Sequence, residues 1–87
     1  MAWTIELRSS VRHDLKKLDR KVADRVLDFL AERVASGDPR RIGEPLAGNL
    51  RGHWRYRVGD YRIICNLADE RMVVLVIRIA HRSDVYR

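Results

Sequence analysis

At 87 residues the chain is short even for one domain, and it is expected to fold as a single domain over 1–87 with all its elements sharing one core. Apolar residues make up 46% and charged residues 34%, the balance of a globular domain and not of a disordered tail. The 18 Lys and Arg against 12 Asp and Glu leave a formal charge of +6, which points to a polyanion or an acidic protein as partner. The excess is mostly Arg, whose planar fork matches phosphate oxygens in pairs. A single cysteine, Cys65, excludes an internal disulfide and a multi-cysteine zinc site, and it fits a reducing cytoplasm. Residues 1–10 lack an apolar leader core, and the longest apolar run, Met72 to Ile77, is far too short for a bilayer, so neither export nor a membrane partner is expected.

In Trp3-Thr4-Ile5-Glu6-Leu7-Arg8 every second residue is apolar, the period of a strand with one buried face. Ser9 and Ser10 are placed to cap a helix carrying Val11, Leu15 and Leu18, and Asp19 to cap a second that runs to about Ser36. The second helix bears the stripe Val22, Val26, Phe29, Leu30 and Val34, and Gly37-Asp38-Pro39 stops it. From Arg40 to Gly52 no period is sustained, and the segment reads as a loop returning the chain to the sheet. Its Arg40, Arg41 and Arg51 face solvent or an RNA, but the active site is not expected there. Three strands follow, near 53–58, 61–67 and 72–79, joined by Gly59-Asp60 and by a turn around Asp69-Glu70. The class is α+β: a first strand, a two-helix hairpin, then a three-stranded antiparallel meander, with the helices on one face of the sheet.

Gly at the first central position of Gly59-Asp60 suits a two-residue type II′ turn, which sets the register on either side. Val58 then faces Tyr61, Arg57 faces Arg62, Tyr56 faces Ile63 and Arg55 faces Ile64. One face carries Trp54, Tyr56, Val58, Tyr61, Ile63 and Cys65, the side expected against the helices. The other gathers Arg55, Arg57 and Arg62. Like charges directly opposed across strands destabilise a hairpin, so an anion between Arg57 and Arg62 relieves a local cost, as do surface carboxylates. The second turn leaves the face of Arg78 open, because a two- or four-residue loop keeps the parity while a bulge reverses it. After Ala80 the chain turns polar, His81-Arg82-Ser83-Asp84-Val85-Tyr86-Arg87.

Leu50 to Gly52, Trp54-Arg55-Tyr56-Arg57, Gly59-Asp60-Tyr61-Arg62-Ile63 and the ending His81-Arg82 to Val85-Tyr86 together resemble the RelE branch of the RelE/ParE toxins, over nearly the whole chain. The resemblance implies the toxin of a type II toxin-antitoxin system. Its partners would be a cognate RelB-like antitoxin, the ribosome and mRNA. It implies an endoribonuclease that cleaves mRNA on the ribosome by attack of a ribose 2′-hydroxyl on the adjacent phosphate, with no metal and no cofactor. By resemblance Arg62 is the arginine that stabilises the transition state, Arg82 the arginine opening the C-terminal segment, and Tyr86 the tyrosine that stacks on the substrate. Arg55, Arg57 and Arg51 are the candidate RNA-binding residues.

Well-known members carry lysines where this chain has Arg55 and Arg57. A guanidinium does not release its proton, so these two neutralise phosphate and cannot serve as the general base. His81 is the nearby residue type that carries a proton either way at neutral pH, and it is the candidate acid or base. Cys65, Trp54 and Tyr56 read as core, His13 as solvated, and His53 as a possible addition to the arginine face. The alternative function is that of a ParE-like toxin which inhibits DNA gyrase without RNA chemistry. Fold alone does not separate the two, and the joint presence of Arg62, Arg82 and Tyr86 favours the nuclease. A basic RNA-binding module without activity would fit the charge but leave the C-terminal segment unexplained.

Overall fold

The computed structural model describes residues 2–85. Strand β1 (Thr4–Leu7) leads almost directly into helix α1 (Ser9–Lys16). Neither serine caps that helix. Arg8 holds the N-cap position in extended backbone with no side-chain cap bond, and its own N–H donates to the Val76 carbonyl at 2.9 Å. Strand pairing therefore continues to the last residue before the helix and overrides the local preference for a serine cap.

Helix α2 (Arg20–Phe29) is capped as the sequence suggests, by the Asp19 carboxylate accepting from the Lys21 N–H at 3.2 Å. It widens into a π-helical turn over Leu30–Val34, closed by the Ala35 N–H donating to the Leu30 carbonyl at 2.9 Å. The looser turn lets the adjacent Val34 and Ala35 both face inward. The Ala35 carbonyl then accepts from the Trp3 N–H at 2.7 Å, tying the helix end to the start of β1.

The segment expected to be a loop is partly regular. Asp38 caps a single helical turn, α3 (Pro39–Ile42), by accepting from the Arg40 N–H at 3.0 Å, with Pro39 at the first helical position. A two-residue strand, β2 (Glu44–Pro45), and a 3-10 turn (Gly48–Leu50) follow. Gly43 is required between α3 and β2, because a Cβ there would lie 2.8 Å from the Tyr56 ring. The meander is β3 (His53–Val58), β4 (Tyr61–Ala68) and β5 (Val73–His81), so the sheet has five strands in the order β1-β5-β4-β3-β2, with β1 parallel to β5. His81, expected to open the polar tail, is the last residue of β5.

The helices cover one face of the sheet. Val11, Val26, Leu30 and Val34 meet Tyr56, Ile63, Cys65, Val74, Val76 and Ile79 there, and Trp54 and Phe29 pack at the margin. Each such side chain contributes roughly 1.5–3 kcal/mol relative to exposure. The Tyr56 hydroxyl, buried beneath α3, donates to the Pro39 carbonyl at 2.7 Å. Burial pushes both the Tyr56 hydroxyl and the Cys65 thiol well above their ordinary pKa, so both stay protonated. Among the described residues no helix is long and apolar enough to cross a membrane.

Candidate active site

The face away from the helices is where the basic residues converge. Pairing in the β3–β4 hairpin runs Val58 to Tyr61, Arg57 to Arg62, Tyr56 to Ile63 and Arg55 to Ile64, the register read from the sequence. Gly59 has φ 57° while Asp60 has no positive φ, which is the backbone of a type II′ turn. His53 shares the parity of Arg55 and Arg57 and lies on the same face; its Nδ1 sits 3.2 Å from the Leu50 carbonyl, so that nitrogen carries the hydrogen.

Arg78 also belongs to this face, and a bulge puts it there. The four residues 69–72 connect β4 to β5 with Val73 opposite Ala68, a parity that alone would turn residue 78 toward the helices. Between Ile64 and Cys65 the register slips: Cys65 pairs with Val76 but Ile64 with Arg78, leaving Ile77 as the extra residue. Beyond the bulge, Arg78 and Ala80 project with Arg62, while Ile79 and His81 project with the core.

The two ends of the arginine face are balanced differently. At the β2 end, Glu44 is paired with Arg55 in the sheet, and its carboxylate takes Arg55 at 2.7 Å and Arg57 at 3.2 Å. The anion that the like-charge hairpin calls for is thus supplied in part by the chain itself, from a strand too short to be legible. At the hairpin end, the Arg62 guanidinium donates to the Gly59 and Tyr61 carbonyls at 2.9 and 3.0 Å and pairs with no carboxylate among the described residues. Arg82 lies opposite Asp60: its N–H donates to the Asp60 carbonyl at 2.8 Å, and its Nε stands 3.9 Å from the carboxylate, the limit of an ion pair. Arg62 and Arg82 therefore meet at one turn and keep their charge for a ligand.

His81 is not brought to this cluster. It pairs with Tyr61 across the strands, ring edge against face at 5.5 Å, on the helix side of the sheet. The two line a cleft of about 410 Å³ with Asp14, Lys17, Arg78 and Asp84. His81 Nδ1 accepts from the Ser83 N–H at 3.2 Å and stands 2.8 Å from the Ser83 hydroxyl. By strand parity His81 projects to the opposite side of the sheet from Arg55, Arg57 and Arg62. Arg51 lies exposed at the end of the 3-10 turn and makes no ion pair among the described residues. Tyr86 lies outside the described residues.

Two further arginines belong to this region: Arg78, whose face the sequence leaves open, and Arg25, which it does not single out. The Arg78 side chain donates from Nε to the Val85 carbonyl and from Nη2 to the Asp84 carbonyl, each at 3.0 Å. Arg25 of α2 reaches the hairpin tip from the other side, where a Cβ on Gly59 would lie 3.7 Å from its Nη2. No local signal marks either residue, since one depends on the bulge and the other on helix docking. Away from the site, Arg40 holds the Asp69 carboxyl below the usual carboxylate range through a bidentate pair at 2.6 and 2.7 Å, which pins α3 to the β4–β5 turn. Among the described residues no three His, Cys, Asp or Glu side chains converge as a metal site.

A helix pair backing a short mixed sheet, whose open face concentrates arginines around a hairpin tip, defines a small basic α+β domain. Residues 5–86 match the family of ParE toxins of type II toxin-antitoxin systems, and the chain belongs to that family, within the RelE/ParE superfamily and on its RelE-like branch. It is 36% identical to the toxin RelG of Mycobacterium tuberculosis over 100% of this chain and 99% of that one, and 32% identical to the toxin RelE of the same organism over 98% and 87%. Among solved structures, the toxin-antitoxin complex RelBE2 of M. tuberculosis contains a chain of TM-score 0.88 and 30% identity, covering 94% of this chain and 100% of that one. A double mutant of the E. coli toxin RelE in the free state has TM-score 0.76 at 23% identity, over 99% and 92%, a likeness of fold.

Proposed function

We propose that this type II toxin is a ribosome-dependent endoribonuclease acting on mRNA, with its reaction centre at the hairpin end of the arginine face. The observation that carries the reading is the meeting of Arg62 and Arg82 at the Gly59-Asp60 turn, with Arg55 and Arg57 along the strand from it. In the proposed step a ribose 2′-oxygen bonds to the adjacent phosphorus and the bond from phosphorus to the 5′-oxygen breaks. The 2′-hydroxyl loses a proton and the leaving 5′-oxygen gains one, so the products are a 2′,3′-cyclic phosphate and a 5′-hydroxyl, with no net consumption of water.

Negative charge accumulates on the phosphorane oxygens. Fixed guanidinium donors that are already oriented stabilise it with little reorganisation. Arg62 takes that role because carbonyls hold it in place without neutralising it. Arg82 joins it from β5's end, Arg55 and Arg57 grip the flanking backbone, and Tyr86 stacks on a neighbouring base. None of these arginines accepts a proton, so the acceptor for the 2′-hydroxyl comes from water or from the ribosome that presents the mRNA.

The relatives in complex carry RelB antitoxins, and this chain is proposed to be held inactive in the cell by an antitoxin of that kind, encoded nearby. The test of the nuclease is incubation of the purified chain with mRNA-programmed ribosomes and chemical mapping of the cut ends. Cyclic phosphate and 5′-hydroxyl termini are expected. Intact mRNA alongside inhibited gyrase supercoiling would overturn the reading in favour of a gyrase toxin.

A further inference from the structure

We infer that Arg78 is a positioning residue for the cleavage reaction: its guanidinium grips two consecutive carbonyls of the C-terminal segment and thereby fixes the peptide from which Tyr86 extends. The inference rests on the proposed role of Tyr86 in that reaction.

The segment after β5 is tied at its start to the hairpin turn, where the Arg82 N–H donates to the Asp60 carbonyl at 2.8 Å. It is polar, it leaves the sheet at Arg82, and Ser83 and Asp84 are exposed. Its internal turn is closed by the Asp84 N–H donating to the His81 carbonyl at 2.8 Å, which shapes the segment but does not attach it to a face. At its far end two features side by side hold it as well. Val85 is buried to 4% exposure, and Arg78 donates from Nε to the Val85 carbonyl and from Nη2 to the Asp84 carbonyl. Arg78 is paired across the sheet with Ile64, a buried apolar residue on this otherwise basic face, so the anchor and the apolar patch lie next to each other.

The Val85 carbonyl belongs to the peptide unit that ends at the Tyr86 nitrogen. That unit is planar, so fixing its oxygen fixes the direction in which the chain enters residue 86. The planar fork is what allows one side chain to hold both carbonyls at once; an ammonium on a flexible stem carries the same charge but does not impose that orientation. The bulge is part of the device. Without the extra residue Ile77, position 78 would take the opposite parity and turn to the helix side, away from its present contact with the segment. A residue of this kind acts on the orientation of a reacting group, where a displacement of about 1 Å costs on the order of 10²-fold in rate.

The experiment compares Arg78→Ala, Arg78→Lys, Tyr86→Ala and the double variant Arg78→Ala/Tyr86→Ala in single-turnover cleavage on programmed ribosomes, with ribosome affinity, melting temperature and the Val85 amide order parameter measured beside the rates. Arg78→Ala is expected to lower the rate on the order of 10- to 10²-fold with ribosome affinity nearly unchanged. Arg78→Lys should stay closer to the alanine variant than to wild type. In the Tyr86→Ala background, loss of Arg78 should change the rate by less than about twofold, the non-additivity of residues acting as one unit. The Val85 order parameter should fall from about 0.85 toward the mobile range below about 0.6.

Multiplicative losses in the double variant would overturn the inference, and so would recovery by lysine, which would make Arg78 a simple charge. An unchanged Val85 amide in Arg78→Ala would also overturn it. If Arg78→Ala is too unstable to assay, Arg78→Lys alone and in the Tyr86→Ala background carries the same comparison. A Tyr86→Ala toxin that cuts at the wild-type rate overturns the role of Tyr86 itself. A slow Tyr86→Ala beside a wild-type Arg78→Ala overturns only the positioning role.

Discussion

The two faces of one small sheet do opposite things with adjacent residues. On the helix side Tyr56, Ile63 and Cys65 are sealed under Val26, Leu30 and Val34, and the Tyr56 hydroxyl that enters is answered by the Pro39 carbonyl. On the other side Arg57 stands opposite Arg62, an arrangement that a design for stability alone would avoid. Since the period of a strand is two, neighbours in sequence alternate between these regimes, and one hairpin supplies both the core and the charge. The comparison teaches that stability and chemistry are separable here by parity, so substitutions on the two faces should fail in different assays.

Arg62→Ala tests the charged face most sharply. Single-turnover cleavage is expected to fall by roughly 10² to 10³, the scale of one preorganised donor removed from a developing oxyanion. Ribosome binding should fall far less, and stability should change by less than about 1 kcal/mol, because two exposed-side hydrogen bonds are lost while a like-charge contact is relieved. A proportional loss of binding and rate would remove Arg62 from the catalytic role. Leu30→Ala tests the other face: a stability loss of about 2–5 kcal/mol is expected in a urea titration, with the rate per folded molecule retained. A slowed rate at full folding would show that the faces are coupled and not independent.

A smaller effect is expected from Glu44→Gln. Removing the carboxylate that occupies Arg55 and Arg57 should raise affinity for RNA at low salt and steepen its salt dependence by about one phosphate contact, a change of roughly 0.7–0.9 in the log-log slope. A slope equal to wild type would mean that these two arginines never meet phosphate. Smallest of all should be His81→Gln. With its ring on the core side, the variant is expected to keep both the cleavage rate and its pH dependence around neutrality; a lost inflection in the pH-rate profile would return His81 to the mechanism.

What was legible in the sequence depended on how local its cause is. The β3–β4 register follows from Gly59-Asp60, because the turn dictates pairing outward from itself, and Asp19 could be read as a cap because it acts two residues away. Ser9 and Ser10 misled because a partner 68 residues on, the Val76 carbonyl bonded to Arg8, decides where the strand ends. Strand β2 and helix α3 are too short to show a period, so Glu44's place beside Arg55 and Arg57 was hidden. The bulge at Ile77 has no local signal, so the face of Arg78 stayed open and His81 was read beside the arginines although its parity is that of the helix side. The residues of the site were thus named more readily than their arrangement.

Strand β2 also bears on how this chain behaves when crowded. A sheet of five strands has two rims, and a bare rim invites another copy to pair along it and grow. One rim here ends in a strand only two residues long whose Pro45 offers no N–H, a poor template for an incoming strand. On the other, β1 is only four residues long, and where it stops short of the end of β5 the Asp14 carboxylate from α1 accepts the Ile79 N–H at 3.0 Å, placing a negative charge on that stretch of edge. A protein with such rims should remain dispersed at concentrations where an open-edged sheet of the same size would begin to form fibres.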